Sequence, residues 1–190
     1  SSDVYSSDLP TILTLLRIIL IPFFVVAFYL PMEWGRSAAA LIFVLAGVTD
    51  WLDGYLARKW DQTSPFGAFL DPVADKLMVA AALLLLVSDM PELTVVVPAI
   101  VIIGREIAIS ALREWMAEMG ERAHVAVSMI GKIKTTAQMA AIFLLLYQQP
   151  IGPFPTQVVG MVLLYVAMVL TLWSMAIYLR AAWPILKGES

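Results

Sequence analysis

From Thr135 to Leu179 the chain carries no charged side chain, and a run of that length settles its environment before it settles its fold. Sequence of this kind belongs in a bilayer, where one spanning helix needs about 20 apolar residues. Pro150, Gly152, Pro153 and Pro155 interrupt the run, which therefore reads as two spans. The rest of the chain repeats the plan. Apolar segments fall at 9–30, 37–57, 67–88, 93–115, 129–149 and 156–182, with breaks such as Pro31-Met32-Glu33, Asp61 to Pro65, Asp89 to Glu92 and Gly120-Glu121-Arg122. Of 190 residues, 61% are hydrophobic and 14% charged, which excludes an ordinary soluble domain. The expected fold is an all-α integral membrane protein of six transmembrane helices. Residues 9–183 form its single domain, between an N-terminal segment 1–8 and a C-terminal tail 184–190.

Lys59, Arg122 and Lys187 against Arg36 favour both termini in the cytoplasm. The first span contains Arg17 and is followed by no small-residue cleavage site, so it reads as a retained helix and not as a signal peptide. The Ser-Ser start without Met marks part of residues 1–6 as an expected cloning remnant. The absence of Cys removes disulfides and thiolate metal sites. A net charge of −3 with dispersed basic residues gives no sign of nucleic-acid binding. Trp34, Trp51, Trp60, Trp115 and Trp183 lie near span ends, as an interfacial belt requires, and His124 falls in a polar break.

Charge is confined to one half of each of the first five spans: Arg17, Asp50 to Arg58, Asp71 to Lys76, Arg105 with Glu106, and Lys132 with Lys134. A channel or alternating-access carrier places polar groups through the membrane depth or near its midplane. One-sided polarity favours a polar active-site cavity open to the cytoplasm, suited to an enzyme acting on cytosolic and lipid substrates. A divalent-cation transporter is the alternative from another class, because it too places aspartates in helices.

Asp50, Asp53, Asp71 and Asp75 are the densest of these charges. A carboxylate within a span costs roughly 2.5–3.5 kcal/mol on the insertion scale. The cations nearby in sequence are Arg58, Lys59 and Lys76, so bound metal is the natural compensation. Asp50 and Asp53 are spaced i, i+3, Asp71 and Asp75 i, i+4, and each pair shares a helix face. A short connection near 59–66 makes the two helices a hairpin on which the pairs converge. An all-carboxylate set selects hard ions, Mg²⁺ or Mn²⁺, and two such ions suit displacement at phosphorus. Gly54 and Ala57 beside the first pair, and Gly67 one turn before the second, allow close approach of a bulky ligand; taken alone, Gly54 and Gly67 are more often helix-packing glycines. Arg58 and Lys59 are placed to bind phosphate oxygens; as isolated residues they are equally consistent with a solvated helix end.

The segment reads D-x2-D-G-x2-A-R-x8-G-x3-D-x3-D, with Asp50, Asp53, Gly54, Ala57, Arg58, Gly67, Asp71 and Asp75 at its fixed positions. It resembles the defining motif of the CDP-alcohol phosphotransferase family. The resemblance extends through LPTILTLLRIILIP, GREIAISALREWMAE and GKIKTTAQM to the bacterial branch that makes phosphatidylglycerophosphate. Relatives usually carry Asn before the Pro-Thr of the first helix, where this chain has Asp8 and Leu9.

The resemblance implies transfer of the phosphatidyl group of CDP-diacylglycerol to sn-glycerol 3-phosphate, with release of CMP, in anionic phospholipid biosynthesis. It further implies two Mg²⁺ or Mn²⁺ ions on Asp50, Asp53, Asp71 and Asp75, with Asp75 also the base for the acceptor hydroxyl. Gly54, Ala57, Arg58 and Gly67 pack around the nucleotide of CDP-diacylglycerol. A homodimer in the bacterial inner membrane, in contact with membrane lipid, completes the expectation. The acceptor is a dianion and needs cations beyond the motif; Arg105, Lys132, Lys134 and Arg113 supply them, with Arg17 a further contributor. Glu106 is the alternative, structural partner of Arg105, and positive-inside topology alone also accounts for Arg113 and Lys134. The same fold with another acceptor, such as inositol phosphate or a second phosphatidylglycerol, is the nearest rival.

Overall fold

The computed structural model describes residues 9–59, 65–118 and 129–188. Asp8, Trp60, Arg122 and His124 lie outside the described residues. Among the described residues six helices follow one another: α1 (Leu9–Tyr29), α2 (Gly35–Lys59), α3 (Pro65–Asp89), α4 (Leu93–Glu118), α5 (Met129–Tyr147) and α6 (Thr156–Leu186). The regular structure of the described residues is all helical, in the order the hydrophobic segments predict. The last helix runs to Leu186, past the expected end at 182, and accommodates Pro184.

Thr11–Tyr29, Gly35–Leu56, Leu93–Glu118 and Thr156–Leu186 are long and apolar enough to cross a membrane. The other two helices spend part of their length on charge: Asp71, Asp75 and Lys76 in α3, Lys132 and Lys134 in α5. The chain folds as two compact units. One comprises residues up to Leu86 together with Leu146–Gln148, the other Val87–Leu145 together with Gln149 onward.

In the first unit α1 and α2 form a tight hairpin. A Cβ on Gly35 would lie 2.8 Å from the Ala27 carbonyl oxygen and 3.1 Å from that of Leu30, so this turn requires glycine. The α1 face carrying Phe24, Ala27 and Phe28 is buried with Ala39, Ala40, Phe43 and Ala46 of α2, and the Phe24 and Phe43 rings lie 6.3 Å apart. Apart from Phe43, the apolar residues of the buried α2 face are alanines, while Leu41, Leu45 and Val48 are exposed. In a bilayer large apolar residues gain nothing by leaving the surface, and helices approach through small ones. Arg36 lies 4.7 Å above the Phe28 ring and donates from Nε to the Leu146 carbonyl at 3.0 Å. It thereby caps one of the last carbonyls of α5, which have no helical donor.

The buried stripes lead into polar residues. On α1 the spacing of Phe24, Ala27 and Phe28 continues back to Arg17 and Thr14; on α2 that of Ala39, Phe43 and Ala46 continues on to Asp53. The packing that joins the hairpin therefore also aims these side chains inward.

In the second unit Val95, Ala99, Ile102, Ile109 and Met116 form the buried stripe of α4, and Gly160, Leu164, Ala167, Thr171, Tyr178 and Ala182 that of α6. A Cβ on Gly160 would meet Leu145 at 3.0 Å, which marks the close approach of α6 to α5. The turn between those helices uses left-handed backbone at Gln148 (φ 64°) and Gly152 (φ 59°), and Thr156 donates to the Gln149 carbonyl at 3.0 Å.

Candidate active site

A lone arginine in an apolar helix needs an acidic partner. Arg17, the single charge of α1, has three within reach. Its Nη1 donates to Asp50 Oδ1 at 2.7 Å and its Nη2 to Asp53 Oδ2 at 2.9 Å, while Asp71 Oδ1 lies 3.5 Å from Nη2. Nη2 also donates to Thr14 Oγ1 at 3.2 Å. The Thr14 hydroxyl stands 2.7 Å from Asp53 Oδ2 and 2.5 Å from Asp71 Oδ1. Its one proton serves one of those carboxylates at a time.

Burial is uneven. Arg17 and Asp53 are 2% and 1% exposed, whereas the Asp50 and Asp71 side chains are 48% and 42% exposed. The cluster is thus closed at its base and open on the side of Asp50 and Asp71. One guanidinium faces three carboxylates, so the group is short of positive charge.

Whether a divalent ion fits is decided by the donors. All are oxygens of carboxylates or a hydroxyl, the set that hard cations prefer. Asp53 Oδ1 is buried and has no hydrogen-bond partner among the described residues, and an orphaned carboxylate oxygen of this kind costs stability unless a cation takes it up. Among the described residues no three carboxylates already enclose one point at ligand spacing, because the guanidinium of Arg17 stands among them. The donor set fits Mg²⁺ or Mn²⁺.

The sequence pairs separate in character. Asp50 and Asp53 share one guanidinium, as i, i+3 spacing allows. Asp71 joins them from α3; Asp75, one turn on, is exposed. Gly54 and Gly67 are partly buried. The side chains of Ala57 and Arg58 lie outside the described residues. Lys59 Nζ lies 5.6 Å from the Tyr55 ring centroid. Arg17, expected as a contributor to acceptor binding, is ion-paired with the aspartates. Thr14 was not singled out in the sequence; its signal is the i, i+3 spacing to the one charge of α1.

The second unit holds a cluster of opposite sign. Arg105 donates from Nη1 to Glu106 Oε1 at 3.0 Å and from Nη2 to Ser174 Oγ at 3.1 Å. Lys134 Nζ is 3.7 Å from the same Glu106 oxygen. Arg105 Nε is buried with no partner among the described residues. Arg113 lies 5.6 Å over the Tyr178 ring, a cation–π distance. Lys134 is buried, whereas Lys132, two residues away on a helix, is exposed. Of the four cations expected at an acceptor phosphate, the structure joins Arg105 and Lys134 through Glu106. Ser174, in the charge-free run, carried no signal in the sequence.

Residues 7–173 match the family model described as CDP-alcohol phosphatidyltransferase. The chain is similar to proteins named CDP-diacylglycerol–glycerol-3-phosphate 3-phosphatidyltransferase. The one from Shigella flexneri serotype 5b (strain 8401) is 59% identical over 175 residues, covering 92% of this chain and 94% of the relative. That from Escherichia coli (strain K12) is 58% identical with the same coverage.

Proposed function

This chain belongs to the CDP-alcohol phosphatidyltransferase family, and from that premise we propose that it transfers the phosphatidyl group of CDP-diacylglycerol to sn-glycerol 3-phosphate. The products are phosphatidylglycerophosphate and CMP, and the reaction belongs to phospholipid synthesis. The observation that carries this reading in the structure is the pair of opposite clusters: three aspartates around one arginine, and two cations around one glutamate.

Asp50, Asp53, Asp71 and Asp75 are the proposed holders of two divalent ions, Mg²⁺ or Mn²⁺. Bound there, such ions supply charge neutralisation on the diphosphate as CMP leaves. The chain's own residues do the rest. Gly54, Ala57, Arg58 and Gly67 are the proposed binding residues for the cytidine nucleotide. Arg105 and Lys134, supported by Arg113 and Lys132, bind the phosphate of the acceptor through charge-assisted hydrogen bonds. Glu106 holds those two cations in place until the phosphate arrives.

The acceptor's 1-hydroxyl oxygen attacks the phosphatidyl phosphorus. A new P–O bond forms there, the bond to the CMP phosphate oxygen breaks, and the hydroxyl proton passes to a base. Asp75 is the proposed base: it is exposed and lies one turn from Asp71 on the same face of α3. The enzyme is proposed to work as a homodimer in the bacterial inner membrane with both termini in the cytoplasm.

CMP release in lipid nanodiscs, with CDP-diacylglycerol and a panel of acceptors, tests the assignment. Release with glycerol 3-phosphate, and at most a few per cent of that rate with inositol phosphate, serine or phosphatidylglycerol, is the expected result. A higher rate with another acceptor overturns it.

A further inference from the structure

Arg17 is unusual among the charged residues of the site because nothing in the proposed chemistry uses it. It is 2% exposed, on the helix face that packs α1 against α2, and three carboxylates from two other helices surround it. The Asp53 Oδ2 and Asp71 Oδ1 atoms it approaches are carboxylate oxygens of proposed metal ligands. A guanidinium and a divalent ion cannot both occupy the space between them.

We propose that Arg17 is an internal counter-cation of the aspartate cluster: it holds Asp50, Asp53 and Asp71 together before a divalent ion binds, and it competes with that ion for their oxygens. Arg17 is thus a positioning residue that sets metal affinity. Two physical arguments support this. Removing one partner of a buried ion pair leaves an uncompensated charge, here Asp53 at 1% exposure, so the cluster needs a resident cation to persist. The affinity of a ligand for a site that must first be vacated is reduced by the fraction of time the site is vacant. Thr14 supports the exchange. Its hydroxyl lies within hydrogen-bond distance of Asp53, Asp71 and Arg17, and it remains beside the carboxylates when the guanidinium withdraws.

The inference rests on the metal reading given above, and the experiment separates the two. Binding of Mn²⁺ alone, without either substrate, is measured by electron paramagnetic resonance on the full chain in nanodiscs, for the wild type, Arg17→Gln and Arg17→Lys. Thermal unfolding is followed in parallel in chelator and in saturating Mg²⁺. Arg17→Gln is purified in Mg²⁺ and then exchanged.

The expected result is at least about tenfold tighter Mn²⁺ binding by Arg17→Gln, since one unit of opposing charge a few ångströms away has gone. Its unfolding midpoint in chelator falls by about 5 °C or more, and Mg²⁺ closes most of that gap. Arg17→Lys keeps the charge and binds Mn²⁺ within about threefold of the wild type. The double variant Arg17→Gln/Asp53→Asn, which removes both buried charges, regains stability in chelator relative to Arg17→Gln.

Unchanged or weaker Mn²⁺ binding by Arg17→Gln, with normal binding by the wild type, overturns the proposal while leaving the metal reading intact. An equal tightening in Arg17→Lys overturns charge competition as its cause. Absence of Mn²⁺ binding in the wild type and all variants overturns the metal reading and this inference with it.

Discussion

The clusters on α1–α3 and on α4–α6 are built from the same materials in inverse proportion. In the first, one arginine is shared by three aspartates; in the second, one glutamate is shared by an arginine and a lysine. Each carries a surplus of one sign. Among the described residues the first leaves a buried carboxylate oxygen of Asp53 and the buried Nε of Arg17 without a partner, the second the buried Nε of Arg105. Buried polar atoms without partners are rare in proteins because each costs about 1–3 kcal/mol. An excess of carboxylate calls for cations, and an excess of basic groups calls for an anion such as a phosphate. The sign of the imbalance, more than the identity of any one residue, is what supports the proposal of metal for one cluster and acceptor for the other.

Breaking the first cluster has the largest expected effect. Asp53→Asn or Asp50→Asn is expected to lower CMP release by at least about a hundredfold, since each removes a proposed ligand of the divalent ion. Chelation likewise abolishes CMP release and either Mg²⁺ or Mn²⁺ restores it; full activity in metal-free buffer contradicts the assignment. Asp75→Asn sharpens the division within this cluster. It keeps the shape of the side chain but cannot take a proton, so turnover under saturating substrates falls by about a hundredfold or more while nucleotide-lipid binding by calorimetry persists. Parallel loss of binding would make Asp75 chiefly a ligand.

Glu106→Gln acts on the second cluster in the opposite sense to the loss of a cation. Freed of their shared carboxylate, Arg105 and Lys134 bind the acceptor phosphate more readily, and the KM for glycerol 3-phosphate falls by about twofold to tenfold. A raised KM would show that Glu106 orients the cations more than it occupies them. The smallest effect is expected away from both clusters. Tyr165→Phe removes the hydrogen bond from the Tyr165 hydroxyl to the Thr94 carbonyl, 2.8 Å long, and costs about 0.5–1.5 kcal/mol of stability with unchanged kinetics.

Much of this was legible in the sequence because membrane chains spend charge sparingly. The six helices follow directly from the apolar segments and the Pro and Gly between them, since bilayer thickness fixes the length of each. The grouping of Asp50 with Asp53 followed from helical spacing. What was not legible depends on how helices rotate against one another. Arg17 was expected only as a contributor at the acceptor phosphate, because the sequence does not show which face of α1 is buried or that it meets Asp50, Asp53 and Asp71. Thr14 looked like any threonine in an apolar helix, and Ser174 sat in a stretch with no charge to draw attention to it. Lys132 and Lys134 looked equivalent as a pair, yet i, i+2 neighbours diverge on a helix, and Lys134 alone is buried. The length of α6 beyond residue 182 was hidden by Pro184, which sits close enough to the helix end to be accommodated.

The division of labour between the clusters is tested most directly by steady-state kinetics of Arg105→Gln and Lys134→Met, with glycerol 3-phosphate and CDP-diacylglycerol varied in turn. Loss of one charged hydrogen bond is worth about 1.5–3 kcal/mol. The KM for glycerol 3-phosphate is therefore expected to rise about tenfold to a hundredfold while that for CDP-diacylglycerol stays within about twofold. Equal rises for both substrates, or an unchanged KM for glycerol 3-phosphate in both variants, would contradict the assignment of the acceptor phosphate to the basic cluster.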